Sequence, residues 1–186
     1  MDTGFFTVAQ YQRLIENGVL TPDDKVELFE NRLVHREPRD PPHDGTVGLV
    51  AKELRTALPP GWDARCLLSL ELPDSQPEPD FAIVREDPAD YTTRHPTQDD
   101  TALVIEVANA TLHCDQTLKT RIYARAGVAV YWIINLVDRR VEVYSQPSGA
   151  TAAPSFATVQ TYSPGDTIPL VLDGNAIAIP VNDLLP

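Results

Sequence analysis

No stretch of the 186-residue sequence approaches the roughly 18 consecutive apolar residues that a membrane-spanning helix needs, so no membrane partner is expected. The amino terminus, Met1-Asp2-Thr3-Gly4, lacks a basic stretch followed by an apolar one, and the chain reads as unexported. Cysteine is scarce. Cys66 and Cys114 stand far apart without Cys-X-X-Cys spacing, which gives neither a disulfide framework nor a zinc knuckle and suggests a reducing cytoplasm. Lys and Arg number 15 against 27 Asp and Glu, a formal net charge of -12 that argues against tight, non-specific binding to nucleic acid. It weighs less against a metal-dependent enzyme, whose carboxylates a bound cation partly neutralises. Also missing are a Gly-rich phosphate loop, a dinucleotide fingerprint, a Gly-X-Ser-X-Gly elbow and a His-Glu-X-X-His helix. With them go kinase-like, dehydrogenase, hydrolase-elbow and zinc-protease chemistry, leaving carboxylate-metal chemistry.

What is present suits one domain over residues 1–186, because a hydrophobic fraction of 42% is ordinary for a folded chain. Thr7-Val8-Ala9-Gln10 has the form of a capping box, and apolar residues at helical spacing follow up to Gly18. Val26–Phe29 and Arg32–His35 flank Glu30-Asn31 as a hairpin would. Val47, Val50, Leu54 and Leu58 mark one stripe of a helix over about residues 43–57. Strands are expected at Ala64–Leu72, Asp80–Val84 and Ala102–Val107, the last two apolar on both parities and so covered on both faces. A helix from Asp115, as N-cap, to Ala126 follows, then strands at Val128–Asn135 and Arg140–Tyr144. Phe156–Gln160, Ile168–Leu172 and Ala176–Ile179 read as short antiparallel strands capping the sheet.

Charge within apolar runs or at element ends calls for a reason, and Glu27, Asp80, Glu106 and Lys119 are so placed. Asp80 opens Phe81-Ala82-Ile83-Val84, while Glu106 lies inside Leu103-Val104-Ile105-Glu106-Val107. If the two runs are neighbouring strands, both carboxylates point at one spot. Such a pair suits magnesium, a hard cation that takes oxygen ligands and keeps several waters. Lys119 would then orient a water or offset charge developing on a phosphate. Glu27, on an earlier element, would bind a second metal or hold a metal-bound water.

The ordered set Val26-Glu27-Leu28-Phe29-Glu30-Asn31, Pro42-His43, Glu78-Pro79-Asp80-Phe81, Val104-Ile105-Glu106-Val107, Asp115-Gln116-Thr117-Leu118-Lys119, Ala126-Gly127-Val128 and Tyr131-Trp132-Ile133-Ile134 resembles the Uma family of restriction-endonuclease-like proteins. The resemblance implies an α/β fold with a PD-(D/E)XK nuclease core, a mixed central sheet flanked by helices, with extra antiparallel strands at both ends. It implies Glu27, Asp80 and Glu106 as metal ligands, and Mg2+, with Mn2+ as an alternative, as cofactor. The superfamily usually places its lysine two residues after the second carboxylate, where this chain has Ala108, so Lys119 on the next helix becomes the candidate. The implied activity is hydrolysis of phosphodiester bonds in nucleic acid, DNA before RNA, by a metal-activated water, with a homodimer suited to cutting two strands.

Blander readings stand beside these. Glu27 reads equally well as a solvated or capping group, and Glu106 with Lys119 as a structural ion pair. Asp115 reads as a helix cap, His43 as a helix-entry residue or a neighbour of the metal, and Tyr123 as core or as site lining. The segment Arg85–Arg94 is expected to overhang the site as a surface loop. A catalytically inactive nuclease-fold module that binds nucleic acid or a protein is the alternative function.

Overall fold

A computed structural model describes residues 5–186; Met1-Asp2-Thr3-Gly4, on which the expectation of no export rested, lies outside the described residues. Among the described residues no helix is long and apolar enough to cross a membrane. Helix α1 (Val8–Glu16) starts on the capping box foreseen in the sequence. The Gln10 amide donates to Thr7 Oγ1 at 3.2 Å, and the Thr7 amide to Gln10 Oε1 at 2.8 Å. Strands β1 (Val26–Phe29) and β2 (Arg32–His35) pair antiparallel across Glu30 and Asn31, which both take left-handed backbone with φ of 48° and 64°. Helix α2 (Pro41–Ala57) is capped by Asp40, whose side chain accepts from the His43 amide, and Pro41 supplies a preset first turn.

The central sheet has six strands in the order β3 (Trp62–Cys66), β4 (Phe81–Arg85), β5 (Thr101–Ala108), β6 (Val130–Asn135), β7 (Arg140–Pro147) and β8 (Phe156–Tyr162). Only β5 and β6 are parallel, so the sheet is mixed, as expected. The parallel step needs a crossover. It is a continuous helical run: α3 (Leu112–Cys114), a π-helical turn at Asp115–Lys119, and α4 (Thr120–Ala126), stopped by Gly127 at φ 80°. Strand alternation sorts the core into two layers. Phe81, Ile83, Leu103, Ile105, Val107 and Trp132 face α2 through Val50 and Leu54, while Val104, Ala108, Tyr131 and Ile133 face α4 through Ile122 and Tyr123.

Two strand expectations need correction. Ala64–Leu72 is not one strand. Leu67 turns left-handed at φ 55°, and Pro73, Pro77 and Pro79 cannot donate to a ladder, so residues 67–80 form an irregular return loop. The loop is held by the amides of Leu70, Leu72 and Gln76, which donate to Pro77, Ser75 and Leu28 carbonyls. The tail strands also divide differently. Phe156–Tyr162 completes the main sheet, whereas β9 (Thr167–Leu172) and β10 (Asn175–Pro180) pair only with each other and close the α2 layer with Ile168, Leu170 and Ile179.

The 3-10 turn Gln98–Asp100 fixes where β5 begins. Asp100 accepts from the Thr97 amide at 2.8 Å and is gripped by both terminal nitrogens of Arg94 at 2.6 and 3.1 Å. Arg94 above all, with the Thr97 amide adding to it, holds its carboxyl down at about 2 against the opposing effect of burial. A carboxyl depressed from an unfolded value of about 3.9 stabilises above that pH and loses its contribution as pH falls towards the folded value. Asp100→Asn is therefore expected to cost about 1 kcal/mol at neutral pH, the half-exposed Arg94 damping the pair, and almost nothing near pH 2. Urea unfolding at the two pH values checks this.

Candidate active site

The register Phe81↔Ile105 sets Asp80, just before β4, across from Glu106 on β5. Neighbouring strands lie about 4.8 Å apart, so the two carboxylates come to the same end of the sheet, Asp80 meeting His43 of α2 and Glu106 meeting Tyr123 of α4. Asp80 is oriented by two donors on the same oxygen: the Val107 amide at 2.8 Å and His43 Nε2 at 3.2 Å, both to Oδ2. Among the described residues its Oδ1 accepts no hydrogen bond. Glu106 accepts from the Tyr123 hydroxyl at Oε1, 2.8 Å, and pairs through Oε2 with Lys119 Nζ at 3.0 Å. The structure thus brings Asp80, Glu106 and Lys119 together from β4, β5 and the π turn.

Lys119 has a second anion. Asp115 Oδ1 lies 3.0 Å from Nζ, and its Oδ2 accepts from Thr111 Oγ1 at 2.6 Å. Asp115 is no N-cap. The helix already begins at Leu112, and Asp115 is wholly buried inside the run. The sequence signal was the i,i+4 spacing of Asp115 and Lys119. The π turn is fastened by its own groups: the Asp115 carbonyl accepts from Thr120 Oγ1 at 2.8 Å and Tyr131 OH at 3.2 Å. Gln116 Nε2 donates to both oxygens of Glu142, which also accepts from Asn135, Arg140 and Tyr144.

Glu27 reaches this end from β1 and accepts the Glu78 amide through Oε1. It pins the Glu78-Pro79 segment that delivers Asp80, while Arg36, just after β2, pairs with the Glu78 carboxylate. His43 turns out to be a partner of Asp80, and Tyr123 is both core and site lining. The segment Arg85–Arg94 does not overhang the site. It leaves the end of β4 opposite Asp80, and Tyr91 folds back onto Ala82 and Val84 with its hydroxyl donating to the Arg85 carbonyl at 2.8 Å.

Burial governs the electrostatics. It pushes the Glu106 carboxyl up to about 8, Lys119 working against it and Asp80 and Asp115 adding to it. Burial also drives Glu27 up, with Lys119 and the Glu78 amide opposing. For Lys119 burial favours the neutral amine, but Glu106, Asp115 and Glu27 outweigh it and hold the ammonium charged. His43 is likewise lowered by burial and raised more strongly by Asp80 and Asp44.

Four carboxylates, Glu27, Asp80, Glu106 and Asp115, are at most 6% exposed here, against one lysine and one histidine. That excess of buried negative charge is what a hard dication offsets. Among the described residues no three His, Cys, Asp or Glu side chains converge closely enough to form an all-protein cage. An Asp-Glu pair with one carboxylate oxygen unengaged fits an ion that keeps most of its waters.

Tyr123→Phe removes what is, among the described residues, the only hydroxyl donor to Glu106, in a dry setting, and is expected to lower stability by about 2 kcal/mol, with the fold retained. Urea denaturation beside far-UV circular dichroism measures it.

A family model for Uma2, described as "Putative restriction endonuclease", matches residues 8–181. No curated protein matches the chain. Among solved structures, a crystal structure described as "a putative nuclease belonging to DUF820", from Anabaena variabilis ATCC 29413, is similar with a TM-score of 0.69. The match covers 96% of this chain and 97% of that one at 15% identity, a likeness of fold. With its mixed sheet, flanking helices and a family match over nearly its whole length, the chain belongs to the Uma2 family of restriction-endonuclease-like proteins.

Proposed function

We propose that the protein is a magnesium-dependent endonuclease that hydrolyses phosphodiester bonds of DNA. The observation that carries this is the placement of Asp80 opposite Glu106 with Lys119 Nζ 3.0 Å from the Glu106 carboxylate. Asp80 and Glu106 would hold the cation, which supplies Lewis-acid polarisation of the phosphate and a more acidic water when bound. Lys119 carries three donors and no acceptor, so its ammonium offsets charge that develops on the phosphate oxygens and orients the attacking water. His43 and the Val107 amide fix the Asp80 rotamer from Oδ2, so the other oxygen, free of hydrogen bonds among the described residues, is left for a ligand. Glu27 acts one step back, by anchoring the backbone before Asp80. DNA is supported by the family's description as restriction endonucleases.

Ala108, at the position where the superfamily usually has lysine, is what favours an inactive binding module. Against it, Lys119 brings an ammonium to 3.0 Å from Glu106, which supports a substitute for that lysine. Supercoiled, linear and single-stranded DNA, with RNA beside them, incubated with magnesium or manganese, separate the two. Cleavage is expected, reduced at least about a hundredfold in Asp80→Asn and in Lys119→Gln. Equal activity in all three proteins, or none in any alongside metal-free nucleic-acid binding, overturns the enzyme.

A homodimer fits the same reading through β8. Among the described residues this outer strand pairs only with β7, and its sequence, Phe156–Tyr162, carries no charge in a chain of net -12, so a second copy meets little like-charge repulsion along it. Sedimentation equilibrium is expected to show dimers that disappear in Val159→Glu, at a position now 53% exposed. A monomer at all concentrations, or a dimer indifferent to the change, removes this interface.

A further inference from the structure

Asp115 presents a charge the proposed reaction does not use. It is fully buried, it takes no part in the Asp80–Glu106 pair, and burying a carboxylate is costly unless it is paired. Among the described residues its one charged partner is Lys119, and the distances from Nζ to Glu106 Oε2 and to Asp115 Oδ1 are both 3.0 Å. Lys119 therefore stands between two carboxylates, one belonging to the site and one to its own helix.

This balance matters once a cation approaches. Lys119 and a dication are both positive and both seek Glu106. With Glu106 as its only partner, the ammonium would compete for that carboxylate, and on losing it would be left buried and unpaired. Asp115 removes the conflict. Thr111 Oγ1 fixes its other oxygen at 2.6 Å, and the π turn is clamped through the Asp115 carbonyl by Tyr131 and Thr120, so the anchor is rigid. We infer that Asp115 is a positioning residue that holds Lys119 Nζ on the helix side, freeing Glu106 for the cation while keeping the lysine beside it. The inference rests on the proposed cation site at Asp80 and Glu106.

The test is a double-mutant cycle read by manganese binding, with free Mn2+ followed by electron paramagnetic resonance, so that no activity is needed. Asp115→Asn is isosteric and keeps the Thr111 hydrogen bond. It is expected to weaken Mn2+ binding roughly tenfold when Lys119 is present, and less than about threefold in the Lys119→Gln background, since contacting residues couple to this degree. Asp115→Glu, which retains the charge, is expected to restore much of the affinity. An equal loss in both backgrounds means that Asp115 acts only through its charge or the fold, and overturns this inference while leaving the cation site standing. No Mn2+ binding by the unaltered protein overturns the site and the inference with it. If Lys119→Gln does not fold, the proton resonance of the Lys119 ammonium decides. On adding magnesium, its protons are expected to stay protected in the unaltered protein and to exchange rapidly in Asp115→Asn. Equal protection in both overturns the inference.

Discussion

A single buried ammonium, Lys119, makes this end of the sheet possible. Glu106 and Asp115 both touch it, and Glu27 feels its charge; without a cation among them, one chain could not keep so many carboxylates out of water. The surrounding structure reads as a set of attachments that bring anions to that charge and hold them still. β5 contributes Glu106 through a strand apolar on both faces, the return loop before β4 contributes Asp80, and Glu27 of β1 with Arg36, just past β2, steadies that loop. None of these elements supplies the whole site, yet each loses a polar partner if another shifts.

Much of this was legible in the sequence because the physics involved is local. The capping box at Thr7, the left-handed pair Glu30-Asn31 and the stripe of Val50 and Leu54 each need only a few neighbouring residues, and each forms where expected. Asp80 and Glu106 were legible for a related reason: a carboxylate within an apolar run requires a partner whatever the tertiary arrangement. Residues whose meaning depends on long-range packing were harder to read. Asp115 has every local mark of an N-cap, and only the earlier start of the helix at Leu112, together with the π turn, puts it inside. The strand expected up to Leu72 failed because Leu67 adopts a left-handed backbone that its apolar side chain does not announce. The segment after Arg85 lies away from the site it was expected to overhang, since alternation fixes which face a side chain takes but not where the following segment travels.

On the proposed reading, the position of the lysine is a case of chemistry tolerating a change of scaffold. The strand position two residues past Glu106 holds Ala108, fully buried against α4 and thus used for packing. The positive charge comes instead from the crossover helix, whose side chain is long enough to reach the strand end. Helix and strand must then stay in register with each other, a demand that a lysine on the strand itself would not impose.

That demand falls on Gln116. Its amide donates to both oxygens of Glu142, on a strand two places across the sheet from Glu106, while the next turns of the helix run on into α4. The helix that carries the lysine is thereby indexed against β7 as well as β5, like a shaft held in two bearings. Drift in the sequence of β7, remote from any reacting group, would then be felt as misalignment of Lys119, so the inherited pattern around Glu142 should be constrained by a task performed two strands away.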